Sequence, residues 1–176
     1  MNLTEWERLP NDGNRYELID GVLYVSAAPR DLHQLVLQAL SDVVSPYARR
    51  LRLGRVYVAP FDVFMDPASQ TCVEPDMLFV AASRLPIIRD RGVYGAPDLV
   101  IEILSESTWR VDLGDKRELY QRCAVQEYWA VDTDAKEVLV YRFAESAEPA
   151  RLGAAGTLST PLLPGLDIPL RDIFES

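Results

Sequence analysis

The sequence predicts one α/β or α+β domain built around a central mixed sheet. Three observations carry that expectation. The elements run in the order helix and hairpin, long helix, several strands, helix, further strands. One strand, PDLVIEILS (residues 97–105), leads through a single helix to another, EYWAVD (residues 127–132), which suits a right-handed βαβ crossover. The chain has 176 residues, 48% of them hydrophobic, enough for one real core and too few for two comfortable ones, so residues 1–176 are read as a single domain.

The segment Thr4 to Arg8 is expected to form a short helix, with Thr4 as N-cap and Glu7 three residues on in a capping-box pattern. RYELIDGVLYVS reads as two strands joined at Asp20-Gly21, a strong type I′ turn signal. Asp31 is the expected N-cap of a long helix. Leu32, Leu35, Val36, Ala39, Leu40 and Val43 give that helix an apolar face, and Pro46 is expected to kink or end it. RVYVAPFDVFMD is strand-like, with Pro60 marking a bulge or edge. DPASQT reads as a turn, EPDMLFVA as a strand, and residues 82–97 as a long connection. VDLGDKRELYQRCA is helical, EYWAVD and EVLVYRF are strands joined around TDAKE, and the tail is turn-rich with short strands.

Composition excludes several kinds of chemistry. No apolar run reaches the roughly 18 to 20 residues of a membrane span, so no membrane partner is expected. The N-terminus lacks a basic stretch followed by an apolar one, so no signal peptide is expected. Cys72 and Cys123 read as reduced thiols of a cytoplasmic protein. A net charge of −9 argues against broad, nonspecific binding to phosphate backbones and fits carboxylates gathered around a divalent cation. The single histidine, His33, rules out a zinc site with several histidine ligands within one chain. There is no P-loop and no GxGxxG after a strand. Carboxylates, lysines and hydroxyls remain.

Side chains alternate along a strand, so Asp98, Val100, Glu102 and Leu104 share one face of PDLVIEILS, and Leu99, Ile101 and Ile103 the other. An unpaired ionised carboxylate among such neighbours costs several kcal/mol, so it shifts its pKa, finds a partner or binds a metal. Asp76 opens EPDMLFVA on the face of Leu78 and Val80, and Glu17 shares a face with Ile19. If these strands are adjacent, the three carboxylates converge, and Mg²⁺ or Mn²⁺ prefers such oxygen ligands. Lys116 begins a helical stripe with Tyr120 and Cys123 at i, i+4, i+7 that points at the cluster if it faces the sheet.

The segments RYELIDGVLYV, HQLVLQAL, VEPDMLFV, APDLVIEILSEST, DLGDKRELYQRCAVQEYWAVD and VYR resemble the Uma-two family of restriction-endonuclease-like proteins, within the PD-(D/E)XK nuclease superfamily. The resemblance runs from about residue 3 to about residue 143, with a looser match in the tail. It implies a restriction-endonuclease-like mixed central sheet flanked by helices, with an N-terminal hairpin and extra strands. It also implies a divalent metal, Mg²⁺ or Mn²⁺, held by acidic residues. By position, Asp76 matches the motif aspartate, Glu102 the acidic residue of the (D/E)XK strand, and Glu17 the acidic residue ahead of it. The superfamily motif places lysine two residues after the acid, where this chain has Leu104; Lys116 looks like that lysine moved to the next helix.

The expected function is therefore a metal-dependent endonuclease hydrolysing DNA phosphodiester bonds. Asp76, Glu102 and Lys116 are the catalytic residues, Glu17, Asp76 and Glu102 the metal ligands, and His33 and Tyr120 weaker substrate or supporting candidates. A homodimer is expected by resemblance alone. Each residue also has a plainer reading: an ion pair for Glu102, a turn cap for Asp76, a cross-strand pair for Glu17, a solvated Lys116, helix capping or packing for His33, and packing for Tyr120. Asp98 is read as ending a turn, Ser105, Ser107 and Thr108 as phosphate contacts or an ordinary polar loop, and the three tryptophans as packing. Arg84, Arg89 and Arg91, with Arg49, Arg50, Arg52 and Arg55, form either a phosphate-contacting face or solvated charge. Two alternatives stand beside the nuclease: a catalytically weakened module of the same fold that binds or regulates, and hydrolysis of another phosphoester.

Overall fold

The protein was analysed as a computed structural model that describes residues 1–27, 31–66, 68 and 70–175. The apolar strand of the sequence analysis is β9 (Leu99–Leu104) and EYWAVD is β10 (Glu127–Asp132). They pair in parallel from Leu99 opposite Glu127 to Leu104 opposite Asp132, as the crossover reading required. Around them lies a six-stranded mixed sheet in the order β12-β11-β10-β9-β6-β3, where β3 is Gly54–Val58, β6 Met77–Ala81, β11 Glu137–Arg142 and β12 Ala150–Gly153.

Both faces of this sheet are covered, which is why β9 reads as an almost unbroken apolar run. Leu99, Ile101 and Ile103 pack with Val36, Leu40 and Val44 of the long helix α2 (Asp31–Arg50). Val100 and Leu104 pack with Leu78, Val80, Leu119 and Tyr120. A second six-stranded sheet carries the N-terminal hairpin in the order β2-β1-β5-β4-β8-β7, where β1 is Arg15–Ile19, β2 Val22–Ser26, β4 Val63–Asp66, β5 Thr71–Val73, β7 Ile88–Arg89 and β8 Gly92–Tyr94. Its β1 (Arg15–Ile19) and β2 (Val22–Ser26) turn at Asp20 (φ 50°) and Gly21 (φ 79°), the paired left-handed conformation a type I′ turn demands. The hairpin joins the rest where Leu18 pairs with Cys72 of β5 (Thr71–Val73).

Several elements differ from expectation. The first helix, α1 (Leu3–Trp6), is capped by Asn2 with Glu5 completing the box, two residues before the expected Thr4 and Glu7. Asp31 lies in the first turn of α2; the residues before it fall outside the described ones. The buried row of α2 is Val36, Leu40, Val44 and Ala48, while Leu32, Leu35 and Val43 are exposed. The sequence offers two overlapping apolar rows, and the sheet selects one. Pro46 does not end α2, which continues to Arg50; the carbonyl its ring leaves without a helical partner belongs to Asp42, an exposed residue.

RVYVAPFDVFMD breaks at Pro60 into β3 and β4 (Val63–Asp66), which belong to different sheets. The DPASQT turn lies partly outside the described residues. The 82–97 connection contains a 3₁₀ turn (Ala82–Ile87) and two short strands, β7 (Ile88–Arg89) and β8 (Gly92–Tyr94). The tail adds the pair β13 (Thr157–Ser159) and β14 (Asp167–Pro169), then a helix, α5 (Leu170–Phe174), that joins the α2 core. No described helix is long and apolar enough to cross a membrane. Both cysteines are free, Cys72 buried and Cys123 half-buried.

Candidate active site

Antiparallel pairing of β6 with β9 sets Met77 opposite Ile101, so Asp76, one residue earlier, comes level with Glu102. The two acids are then tied through the backbone. The Ile103 N–H donates to Asp76 Oδ2 at 2.8 Å, and the Asp76 N–H donates to Glu102 Oε2 at 3.4 Å. Glu102 stands opposite Ala130 of β10, a small neighbour. From the other sheet, β1 brings Glu17 and Arg15, which alternate onto one strand face.

Between β9 and β10 the chain is helical from α3 (Trp109–Val111) through a π turn (Asp112–Lys116) to α4 (Arg117–Arg122). The π turn is wider than an α turn, and both of its end residues, Asp112 and Lys116, are buried. The Asp112 carbonyl accepts the Tyr128 hydroxyl at 3.1 Å. The Lys116 ammonium reaches Glu17 Oε1 at 2.8 Å, Glu102 Oε1 at 3.0 Å and Asp112 Oδ1 at 3.5 Å. One turn on, the Tyr120 hydroxyl donates to the same Glu102 oxygen at 2.5 Å.

The structure thus brings Glu17, Asp76, Glu102, Lys116, His33 and Tyr120 together. All but Tyr120 line a pocket of about 680 Å³ whose mouth carries Ser105, Ser107 and Thr108. Two members were not singled out from sequence: Arg15 and Asp112. Arg15 donates to Asp76 Oδ1 at 2.9 Å and to Glu74 at 2.9 Å. His33 Nε2 lies 3.0 Å from Asp76 Oδ2, and its Nδ1 is buried without a hydrogen-bond partner among the described residues.

Four buried carboxylates, Glu17, Asp76, Glu102 and Asp112, together with the half-buried Glu74, thus surround two permanent cations, Arg15 and Lys116. This imbalance sets the proton positions. Burial pulls the Lys116 ammonium down, but Glu102, Glu17 and Asp112 outweigh it and hold the pKa well above the ordinary value. Burial pushes Asp76 up, yet the His33 bond, Arg15 and the Ile103 N–H bring it down to about 2. Burial pushes Glu102 up to about 8, with Lys116 pulling against it and Asp76, Asp112 and Glu17 reinforcing it. Glu102 therefore gives up its proton less readily than an ordinary glutamate, and Asp76 more readily than an ordinary aspartate.

Other sequence candidates fall outside the cluster. Asp98 is fully buried and accepts from the Ala81 N–H at 2.8 Å, from Arg84 at 2.8 Å and from the Gln126 amide, a structural role larger than ending a turn. That pairing takes Arg84 from the supposed phosphate face, Arg91 pairs with Glu7, and Arg89 stacks over Tyr94. Trp129 is buried and Trp6 donates to the Tyr16 carbonyl, but Trp109 is exposed beside Arg110, so packing fits only the first two.

Among the described residues, no three His, Cys, Asp or Glu side chains form a ready-made metal cage. The donor chemistry nonetheless fits Mg²⁺ or Mn²⁺. Mg²⁺ is typically held by one or two carboxylates, with water and substrate phosphate completing the shell. Asp76 and Glu102 supply two such carboxylates side by side, with Glu17 next to them across the shared ammonium.

A family model named Uma2 and described as "Putative restriction endonuclease" matches residues 3–171. A crystal structure from Anabaena variabilis ATCC 29413, described as a "putative nuclease belonging to DUF820", superposes with a TM-score of 0.83 at 21% sequence identity, covering 99% of this chain and 98% of that one. Among curated proteins none matches.

Proposed function

The chain belongs to the Uma2 family, and from that premise we propose that it is a metal-dependent endonuclease that hydrolyses DNA phosphodiester bonds at the Asp76–Glu102–Lys116 cluster. The observation that carries the reading is the meeting of Asp76, Glu102 and Lys116 on the wall of one open pocket, from strands and a helix distant in sequence.

Asp76, Glu102 and Glu17 would hold the cation. A bound Mg²⁺ or Mn²⁺ supplies Lewis acidity toward the phosphate and lowers the pKa of water. Lys116 stays protonated, so it does not act as a base. It orients the attacking water and offsets the charge that develops on the phosphate oxygens. The Tyr120 hydroxyl and Asp112 fix Glu102 and Lys116 from behind. Arg15 and His33 take the Asp76 oxygens here and line the same pocket, where they would be available to a bound phosphate. Ser105, Ser107 and Thr108 offer hydroxyls at the mouth. The same proposal includes one domain over residues 1–176, a homodimer placing two clefts on one duplex, and a cytoplasmic setting that keeps Cys72 and Cys123 reduced.

The test is plasmid DNA incubated with Mn²⁺ and the purified protein, Lys116→Ala or Glu102→Ala. The wild type nicks and both variants lose activity; equal nicking by all three assigns it to a contaminant and ends the proposal. Leu104 at the usual lysine position favours a second reading, a weakened binding or regulatory module. Calorimetry with Mn²⁺ separates the two: an enzyme binds the ion and loses it in Asp76→Ala, whereas the module shows no specific site.

A further inference from the structure

Several arginines of this acidic chain are neutralised: Arg15, Arg84, Arg91, Arg122, Arg142 and Arg151 each pair with a carboxylate. Arg49, Arg52 and Arg55 form no ion pair among the described residues. They line one pocket of about 500 Å³ together with Tyr57, at the C-terminal end of α2 and the start of β3.

This pocket is not part of the carboxylate cleft. Arg49 lies about 24 Å along α2 from His33, at ~1.5 Å per residue. β3 runs antiparallel to β6 with Gly54 opposite Ala81 and Val58 opposite Met77, which puts the arginines at the end of β6 away from Asp76. Simple helix stabilisation accounts for part of the charge. Arg49 and Arg50 complement the negative end of α2, and Arg50 also lies over the Tyr47 ring at 5.4 Å.

Arg52 and Arg55 have no such explanation. The Leu53 N–H reaches the Ala48 carbonyl at 2.9 Å, closing the helix with Arg52 in the left-handed region at φ 55°. Glycine or asparagine takes that position with least strain. The chain instead places a guanidinium there, with its side chain on the pocket wall. Gly54 lets β3 close against β6: a Cβ at that position would meet the Val80 carbonyl at 2.1 Å. Three exposed arginines without an ion pair among the described residues thus line one pocket, and planar guanidinium forks match phosphate oxygens.

We propose that Arg49, Arg52 and Arg55 form a second, non-catalytic site that binds a phosphate group, carried by a mononucleotide or by a nucleic-acid strand. The site stands whether or not the carboxylate cleft is a nuclease centre.

The experiment is equilibrium binding at low salt with EDTA, so that no divalent cation draws anions to the cleft. The probes are inorganic phosphate, deoxyadenosine monophosphate, a short DNA duplex and a polyglutamate peptide. Saturable, salt-weakened binding is expected for at least one phosphate probe and not for polyglutamate. Arg52→Gly and Arg55→Gln each weaken it about tenfold or more. Arg52→Gly relieves the backbone strain, so it melts no lower than the wild type, which separates lost binding from lost fold. Binding of duplex without phosphate or mononucleotide identifies the strand as the source; binding of the small probes identifies a nucleotide. The proposal is overturned if no phosphate probe binds saturably, if the arginine variants bind as the wild type does, if polyglutamate binds equally well, or if Glu102→Gln abolishes the binding.

Discussion

The Lys116 ammonium lies 3.0 Å from Glu102 Oε1, although the two residues are fourteen apart in sequence and on different elements. In the strand motif that the resemblance brings to mind, acid and lysine stand two residues apart on one strand. Here the π turn carries the lysine back over β9 and reaches the same juxtaposition from the helix side. Leu104 is then free to join the hydrophobic core.

Removing the ammonium leaves Glu17, Glu102 and Asp112 facing one another in a buried space. Lys116→Ala is expected to cost about 3–5 kcal/mol and to lower the melting temperature by roughly 10 °C. Glu102→Gln is expected to cost far less, because glutamine resembles the protonated carboxyl that burial among other carboxylates favours. Thermal melts of both variants check this order; a Glu102→Gln protein less stable than Lys116→Ala would contradict it.

Stability in the absence of a divalent cation is expected to fall from about pH 5 to pH 8. Glu102 holds its proton in the fold up to about 8, whereas an unfolded glutamate releases it near 4.3. Between those values the folded state binds more protons, so raising the pH favours unfolding. Asp76 works in the opposite sense: its pKa of about 2 stabilises the fold above an unfolded value near 3.9, and that contribution disappears as the pH drops toward 2. Melts at stepped pH check both limbs, and Glu102→Gln flattens the upper one.

A cation that displaces the Glu102 proton binds more tightly at higher pH. Mn²⁺ is expected to raise the melting temperature more at pH 8 than at pH 6. Calorimetry in buffers of different ionisation enthalpy is expected to register a released proton at pH 6. A shift of equal size at both pH values would place the ion elsewhere.

The β9 pattern and the Asp20-Gly21 turn were legible because alternation and turn chemistry are local. Arg15 was equally legible: the alternation that joins Glu17 to Ile19 also includes Arg15. The phase of α2 was not, since Val36 and Leu40 belong to two overlapping apolar rows and only the sheet decides between them. The π turn was not either. A helix counted at 3.6 residues per turn gives no sign of a widened one, and here the Tyr128 hydroxyl takes a carbonyl within it. The partnership of Glu17 with Lys116 joins a strand of the second sheet to a helical turn about a hundred residues on, a relation that no local pattern contains.

Asp98 and Glu102 share a strand face and near-complete burial, yet they are expected to behave as opposites. Four residues of extended chain set them about 13 Å apart, Asp98 just before β9 and Glu102 within it. Asp98 Oδ1 takes Arg84 and the Gln126 amide, and Oδ2 takes the Ala81 N–H, so its oxygens are committed to closing the sheet. Asp98→Ala strips those donors of their acceptor and is expected to cost about 3 kcal/mol. Measured at a temperature where the variant remains folded, Mn²⁺ affinity and nicking per folded molecule are expected to match the wild type. Glu102→Gln is expected to give the reverse, near-native stability with the ion and the nicking lost. Loss of Mn²⁺ binding in folded Asp98→Ala would mean that a buried acid on this face need not touch the cleft to govern it, and the assignment of Glu102 by contact would fail.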